Sequence, residues 1–214
     1  DLLLPFLGEA LQSNHVPRAF SFGVGLAQSS TPLTDTWQTL RAAFFAIPRG
    51  ARNATILGGF LHKVNETDAA LCSALLDEIL ADPEMALHFV YLQARTEMNE
   101  EAVARLRKAI ASGRIPSYTF GNLACGVIGP APQIALATML TDLSRLEGGT
   151  AVALDIFHMA TFCRRTDGLE VENVLLDAGH QILLRMDYKN TQDERDHRVQ
   201  QAIKECYAGH GGEG

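Results

Sequence analysis

The amino-acid sequence predicts an all-α fold, a right-handed α-solenoid of antiparallel helix pairs, and two observations support this prediction. First, apolar residues spaced three and then four positions apart, as on one face of an α-helix, recur every 31–33 residues. Second, no stretch shows the sustained period-two alternation of a half-buried β-strand, so we expect no β-sheet. The recurring positions are Leu40, Ala43 and Ile47; Cys72, Leu75 and Ile79; Val103, Leu106 and Ile110; and Leu136, Met139 and Leu143.

The repeat divides residues 34–163 into four helix pairs. Asp82, followed by Pro83, is a predicted N-cap, and so is Asn99, which precedes two glutamates. Gly113 tolerates the positive φ that often ends a helix. The predicted pairs are Thr34–Ile47 with Asn53–Val64, Thr67–Leu80 with Glu84–Ala94, Asn99–Ala111 with Ser117–Cys125, and Gln133–Leu146 with Thr150–Cys163.

The apolar stripe of each repeat is expected to form the hydrophobic core, since one helical face carries it. Side chains of this stripe should therefore be almost fully buried. The residues chosen to test this register are Leu75, Ile79, Leu106, Ile110, Leu140 and Leu143.

An irregular helix pair is predicted for residues 1–30. Its first helix covers residues 2–12, and its second begins at Pro17, because proline fits the first turn of a helix. Gly23 and Gly25 weaken this second helix, so we expect it to pack closely against a neighbour.

A polar capping pair is predicted to close the fold over residues 170–208. It consists of Glu170–Met186 and Glu194–Tyr207, the second of which has only a narrow apolar edge. Residues 209–214 are expected to be a disordered tail. The whole of residues 1–208 is thus predicted to be a single helical-repeat domain.

Composition excludes several functional classes. The 214 residues are 47% hydrophobic and carry a net charge of −7, so a core can form, and no basic face for nucleic acid is indicated. No apolar run approaches the roughly 18 residues of a membrane span. The four cysteines are widely spaced, which favours buried thiols in a reducing cytoplasm.

The first residues give a further expectation about the parent protein. The opening Asp-Leu-Leu-Leu-Pro has no preceding basic region, so a signal peptide is not indicated and a cytoplasmic location is expected. The sequence also lacks an initiator methionine, and we expect it to be cut from a longer protein.

Motifs for metal, cofactor or catalysis are not found in the sequence. The histidines and cysteines lack zinc-ligand spacing, so no metal site is predicted. Neither a Gly-x-Ser-x-Gly nor a Gly-Lys-Ser motif occurs, so no catalytic residue and no cofactor are assigned.

A partner-binding surface is predicted on the second helices of the repeats. Tyr91, Asn122 and Asp155 are separated by 31 and 33 residues, the repeat spacing, and Tyr118 and His158 lie one turn away. Because second helices commonly line the concave face of a solenoid, these residues are expected to bind a protein partner. Simple packing of Tyr91 or Tyr118 between helices is the alternative reading.

A second functional reading is a helical regulatory or catalytic domain that binds a small molecule near Cys125, Asp155 and His158. A nucleophile, a base and an acid in reach of one another would be needed for nucleophilic catalysis there. A deep pocket lined by these three residues would favour this reading, and a shallow continuous groove would favour protein recognition.

Helix pairs without a fixed motif resemble HEAT-like repeats, and this resemblance covers about residues 34–163. Two segments, Gly113–Gly121 and Ala153–Met159, also look like the C-terminal repeats of bacterial signal-transducing NTPases of antiphage defence. That resemblance implies a sensor module for a protein, with an NTPase or effector domain elsewhere in the parent protein.

Overall fold

The structure is a computed structural model that describes residues 4–12, 17–29, 31–125, 127–186, 199–204 and 206. Within these ranges it is helical and contains no β-strand, which confirms the all-α prediction. Half of the predicted Glu194–Tyr207 helix and all of the predicted tail at 209–214 lie outside them. Residues 199–204 are helical.

The protein forms two compact units, residues 1–96 and 97–214. The first unit contains α1 (Leu4–Gln12), α2 (Ala19–Ala27), α3 (Leu33–Phe45), α4 (Thr55–Thr67), α5 (Ala69–Ala81) and α6 (Ala86–Gln93). The second contains α7 (Glu100–Ser112), a 3₁₀ segment (Ser117–Leu123), α8 (Gln133–Leu143), α9 (Gly149–Thr166) and α10 (Asn173–Leu184).

Short-range capping places several of the predicted helix ends. The Asp82 carboxylate accepts hydrogen bonds from the backbone N–H groups of Glu84 and Met85 in the turn before α6, which begins at Ala86 and not at the predicted Glu84. Asn99 is the N-cap of α7, as predicted, and accepts a hydrogen bond from the backbone N–H of Ala102. Gly113 follows α7 with a φ of 64°, the left-handed conformation expected of it. These caps depend on neighbouring residues alone, which is why the sequence indicates them.

The segment predicted as the helix Ser117–Cys125 is instead a 3₁₀ segment that ends at Leu123. The Thr119 hydroxyl donates to the Pro116 carbonyl, and the Asn122 amide donates to the Thr119 carbonyl. Such local side-chain bonds compete with the α-helical pattern, so the tighter turn is favoured here.

In the first unit, α2 and α4 cross at glycines on both helices. A Cβ on Gly23 would overlap the Ile56 carbonyl, and a Cβ on Gly59 would overlap the carbonyl of Phe20. The predicted close packing is therefore confirmed at Gly23. Gly25 takes no part in this contact, because it is exposed with no atom near the position of a Cβ.

The core of the first unit joins α3 to α4 through aromatic packing. The rings of Trp37 and Phe60 stack with centroids 6.1 Å apart, and both side chains are fully buried. Leu40 and Ile47 of the repeat stripe are buried as well, whereas Ala43 is only half-buried.

In the second unit, α8 packs against α7, α9 and α10, and the 3₁₀ segment packs against α9. Phe120 and Phe157 are fully buried, and Gly179 of α10 leaves room for the Phe157 ring. The six residues chosen to test the stripe are each at most 6% exposed across the two units, as predicted.

The cysteines match their predicted environment only in part. No disulfide joins the four, and Cys72 and Cys206 are buried. Cys125 is exposed because it follows the shortened 3₁₀ segment, so burial was wrong for this residue.

Among the described helices, none combines the length and apolar character needed to cross a membrane.

Candidate functional site

The predicted partner-binding residues fall on both units. Tyr91 belongs to α6 of the first unit. In the second unit, Tyr118 and Asn122 lie in the 3₁₀ segment, and Asp155 and His158 lie on α9. Since these two elements pack together, the structure brings the four residues of the second unit onto adjacent elements.

Tyr91 lies under an arginine from the end of its own helix. The guanidinium carbon of Arg95 lies 4.6 Å from the centre of the Tyr91 ring, a cation–π contact. Gly58 of α4 admits this pair, because a Cβ there would lie 3.2 Å from the Tyr91 ring and 3.3 Å from Cγ of Arg95. Both side chains are half-buried.

His62 of α4 fixes the backbone beneath the arginine. Its Nδ1 lies 3.0 Å from the Arg95 carbonyl oxygen, which only accepts, so Nδ1 carries the proton and donates. The other ring nitrogen lies 3.4 Å from a carboxylate oxygen of Glu66, and the Phe20 ring is 5.5 Å away. We call Phe20, His62, Tyr91 and Arg95 the Tyr91 cluster.

The charge of Arg95 is not balanced within the described part of the protein. Its Nε is buried without a hydrogen-bond partner, and no ion pair reaches the guanidinium. The terminal nitrogens of Arg95 are not among the buried unpartnered atoms, so they keep access to solvent. Unpaired positive charge in a protein of net charge −7 is unexpected, and it calls for an explanation.

The arginines of α3 and of the loop that follows it differ from Arg95, because carboxylates neutralise their charge. Arg41 pairs with Asp82 at 2.8 Å, and Arg49 and Arg52 share Glu84. These hydrogen bonds lower the pKa of the Glu84 carboxyl.

Arg52 anchors the loop after α3 through hydrogen bonds from its guanidinium group. It also donates to the carbonyls of Ile47 and Phe45 and lies 5.4 Å from the centre of the Phe44 ring. His88 packs edge-on against the same ring, and burial, followed by the charge of Arg52, lowers the pKa of its imidazole. This group therefore holds the loop after α3 in place, and each of the three guanidinium nitrogens of Arg52 donates within it.

In the second unit the most accessible predicted residue is Tyr118, which is 74% exposed. Asn122 is half-buried, and its amide already donates to a carbonyl of its own segment. On α9, Asp155 and His158 are half-buried, and the His158 ring lies 6.3 Å from Phe162, a second exposed aromatic side chain.

The alternative small-molecule reading requires a pocket at Cys125, Asp155 and His158. The thiol of Cys125 donates to the Asn122 carbonyl within its own turn. An open groove of about 450 Å³ lies in the first unit, where Ala42 and Ala43 of α3 and Ala46 just after it face α1. A smaller cavity lies beside Arg52. The small-molecule reading therefore stays a prediction.

The sequence analysis missed Phe20, His62 and Arg95. Arg95 follows Tyr91 by four residues, just beyond the end of α6, and this is the spacing that brings helical side chains into contact, so this pair could have been found. The contributions of α2 and α4 depend on tertiary packing and had no local signal. Among the described residues, no group of three or more His, Cys, Asp or Glu side chains could hold a metal ion.

Comparison of the sequence and structure with protein-family models, curated proteins and solved structures found no match in any of the three.

Proposed function

We propose that this protein is a protein-recognition module, a scaffold or sensor part of a larger cytoplasmic protein. In this proposal the helix pairs form a right-handed HEAT-like solenoid, and an extended protein segment binds along the second element of each pair. Bacterial defence or signalling is the proposed setting, and it rests on the sequence resemblance alone.

Packing within each unit supports the solenoid part of the proposal. In the first unit, α1 packs on α3, and α4 packs on α2 and α6, so alternate helices are neighbours. In the second unit, α8 packs on α7 and α10, and the 3₁₀ segment packs on α9. Contact between equivalent elements of successive pairs is what stacked helical repeats require.

The single observation that carries the binding part is the accessible aromatic character of the second elements. Tyr118 is 74% exposed. An exposed tyrosine that becomes buried in a partner is a typical interface anchor. The Tyr91 cluster presents a further tyrosine on α6 and, just beyond the end of that helix, a cation without an ion pair among the described residues. Such residues suit a protein partner of mixed charge.

Site-specific photocrosslinking tests this proposal in cells that express the full protein. A photoreactive phenylalanine at position 118 should give defined crosslinks to a partner. The matched control is the same group at Ile134, which is 68% exposed on α8, a first helix. Crosslinks confined to position 118 support the proposal, and equal or absent crosslinks at both positions contradict it.

Affinity for a partner identified in this way should depend on the same surface. Truncation of Tyr118 or Tyr91 to alanine should weaken binding by about 1–3 kcal/mol while the melting temperature stays unchanged. Ile134→Ala should leave the affinity as it is. If all three variants bind equally, the partner uses another surface.

A further inference from the structure

We infer that Arg95 is an anchor for a carboxylate of the bound protein segment, an inference that rests on the proposed function. The site consists of the Arg95 guanidinium, with the Tyr91 ring beneath it and Phe20 and His62 beside it. The ligand is the carboxylate of a glutamate, of an aspartate or of the last residue of a polypeptide, flanked by apolar residues.

The positive charge of Arg95 has no counter-ion among the described residues. A guanidinium stays protonated at any physiological pH, and leaving it half-buried without an anion is unfavourable. Arg41, Arg49 and Arg52 of the same unit all have carboxylate partners. Arg95 lacks one among the described residues.

The Arg95 side chain is also pre-organised by its neighbours. The Tyr91 ring supports the guanidinium at 4.6 Å, Gly58 accommodates the stem, and His62 holds the Arg95 carbonyl. A side chain held in this way loses little conformational entropy when a ligand binds. Nε faces inward, and the terminal nitrogens remain accessible, so they are the donors offered to a partner.

The chemistry of the surroundings selects a carboxylate. One planar guanidinium pairs well with a planar carboxylate of single charge, through two parallel hydrogen bonds. A phosphate dianion usually requires more than one cation, and the charged neighbour that His62 contacts is the carboxylate of Glu66. Phe20 and Tyr91 supply apolar surface for residues on either side of the bound carboxylate.

The test uses the full protein, labelled with ¹⁵N, and observes the Arg95 Nε–H signal, which Arg95→Lys assigns by its loss. The probe is a blocked leucine–glutamate–leucine tripeptide, and the control has glutamine at the centre. At low salt, the glutamate peptide should shift the Arg95 signal saturably, whereas the glutamine peptide should bind at least about tenfold more weakly.

Two variants of equal charge change separate this site from general electrostatics. Arg95→Met keeps the packed stem and should weaken binding of the glutamate peptide about tenfold, as measured from backbone signals near Tyr91. Arg49→Met also removes one positive charge, but from an arginine already paired with Glu84, and it should change affinity less than about twofold. Unchanged melting temperatures establish that both variants fold.

Three outcomes would overturn the inference: no saturable shift of the Arg95 signal, equal weakening by both variants, or tighter binding of inorganic phosphate than of the peptide. The peptide titration needs no natural partner, so its result is independent of the photocrosslinking experiment. A specific crosslink at position 118 with a negative peptide titration would leave the proposed function standing and remove this inference alone.

Discussion

Gly59 of α4 lies directly against the backbone carbonyl of Phe20 in α2, with no room between them for a side chain. Gly23 of α2 has the same relationship to the Ile56 carbonyl in α4. The two glycines allow the helices to approach at backbone contact, and Phe20 is thereby placed beside His62. The α2–α4 crossing thus joins the core of the first unit to the Tyr91 cluster.

Gly59→Ala is expected to destabilise the first unit by about 1–3 kcal/mol or more, because the new methyl group meets backbone that cannot rotate away. The matched control is Gly58→Ala in the same helix, where the nearest atoms to the methyl group belong to the Tyr91 and Arg95 side chains, at 3.2–3.4 Å. Alanine also favours the helix by up to about 1 kcal/mol, so this variant should be nearly neutral. Urea denaturation measures both, and equal stabilities would show that the crossing tolerates a Cβ.

Leu106→Ala should lower the free energy of unfolding by about 2–5 kcal/mol, because Leu106 is fully buried in α7 and its truncation leaves a cavity. Leu184→Ala is the same chemical change at a side chain that is 68% exposed in α10. That control should change stability by no more than about 0.5 kcal/mol. Chemical denaturation distinguishes them, and a small effect at Leu106 would contradict the repeat register.

Protonation of His88 should make stability fall as the pH drops below about 6.5, the value near which a free histidine titrates. Burial and Arg52 lower the pKa of His88 in the folded state. As the pH falls below the pKa of this histidine in the unfolded protein, the unfolded protein takes up a proton that the folded protein does not. The stability that is present above the unfolded-state pKa is therefore lost as the pH falls towards and through the lowered pKa of the folded state.

His88→Gln should flatten the pH dependence of the melting temperature over this interval. The test compares the slope for the variant with that for the unaltered protein, because the substitution also changes packing against Phe44. Parallel slopes would mean that His88 does not contribute to the acid sensitivity.

Removal of metal ions should leave stability unchanged, because no histidine or cysteine spacing in the sequence suits a metal site. Thermal melting with and without a strong chelator measures this. A fall of many degrees in the chelated sample would reveal a structural metal.

The sequence by itself determined the helices and much of the core. The stripe through Leu106 and Ile110 has the period of an α-helix, and amphipathic helices bury their apolar face in any all-α arrangement. The caps at Asn99 and Gly113 were equally predictable, because each is satisfied within a few residues along the sequence.

Local hydrogen bonds were harder to foresee. Residues 117–125 have helical spacing, but the Thr119 and Asn122 side chains bond to nearby carbonyls and favour a 3₁₀ turn. The repeat spacing of Tyr91 and Asn122 likewise says nothing about accessibility. Tyr118 is exposed and Tyr91 is half-buried under an arginine, and neither follows from the spacing.

The tertiary structure alone decided which groups surround Tyr91. Gly23 and Gly59 could be recognised as weak points of helices, but their sequence positions do not say which backbone they meet. Whether Arg95 has a carboxylate partner likewise depends on residues far away in the sequence. Local patterns specify helices because their hydrogen bonds close within a few residues, whereas unpaired charge and close helix crossings result from packing between distant segments.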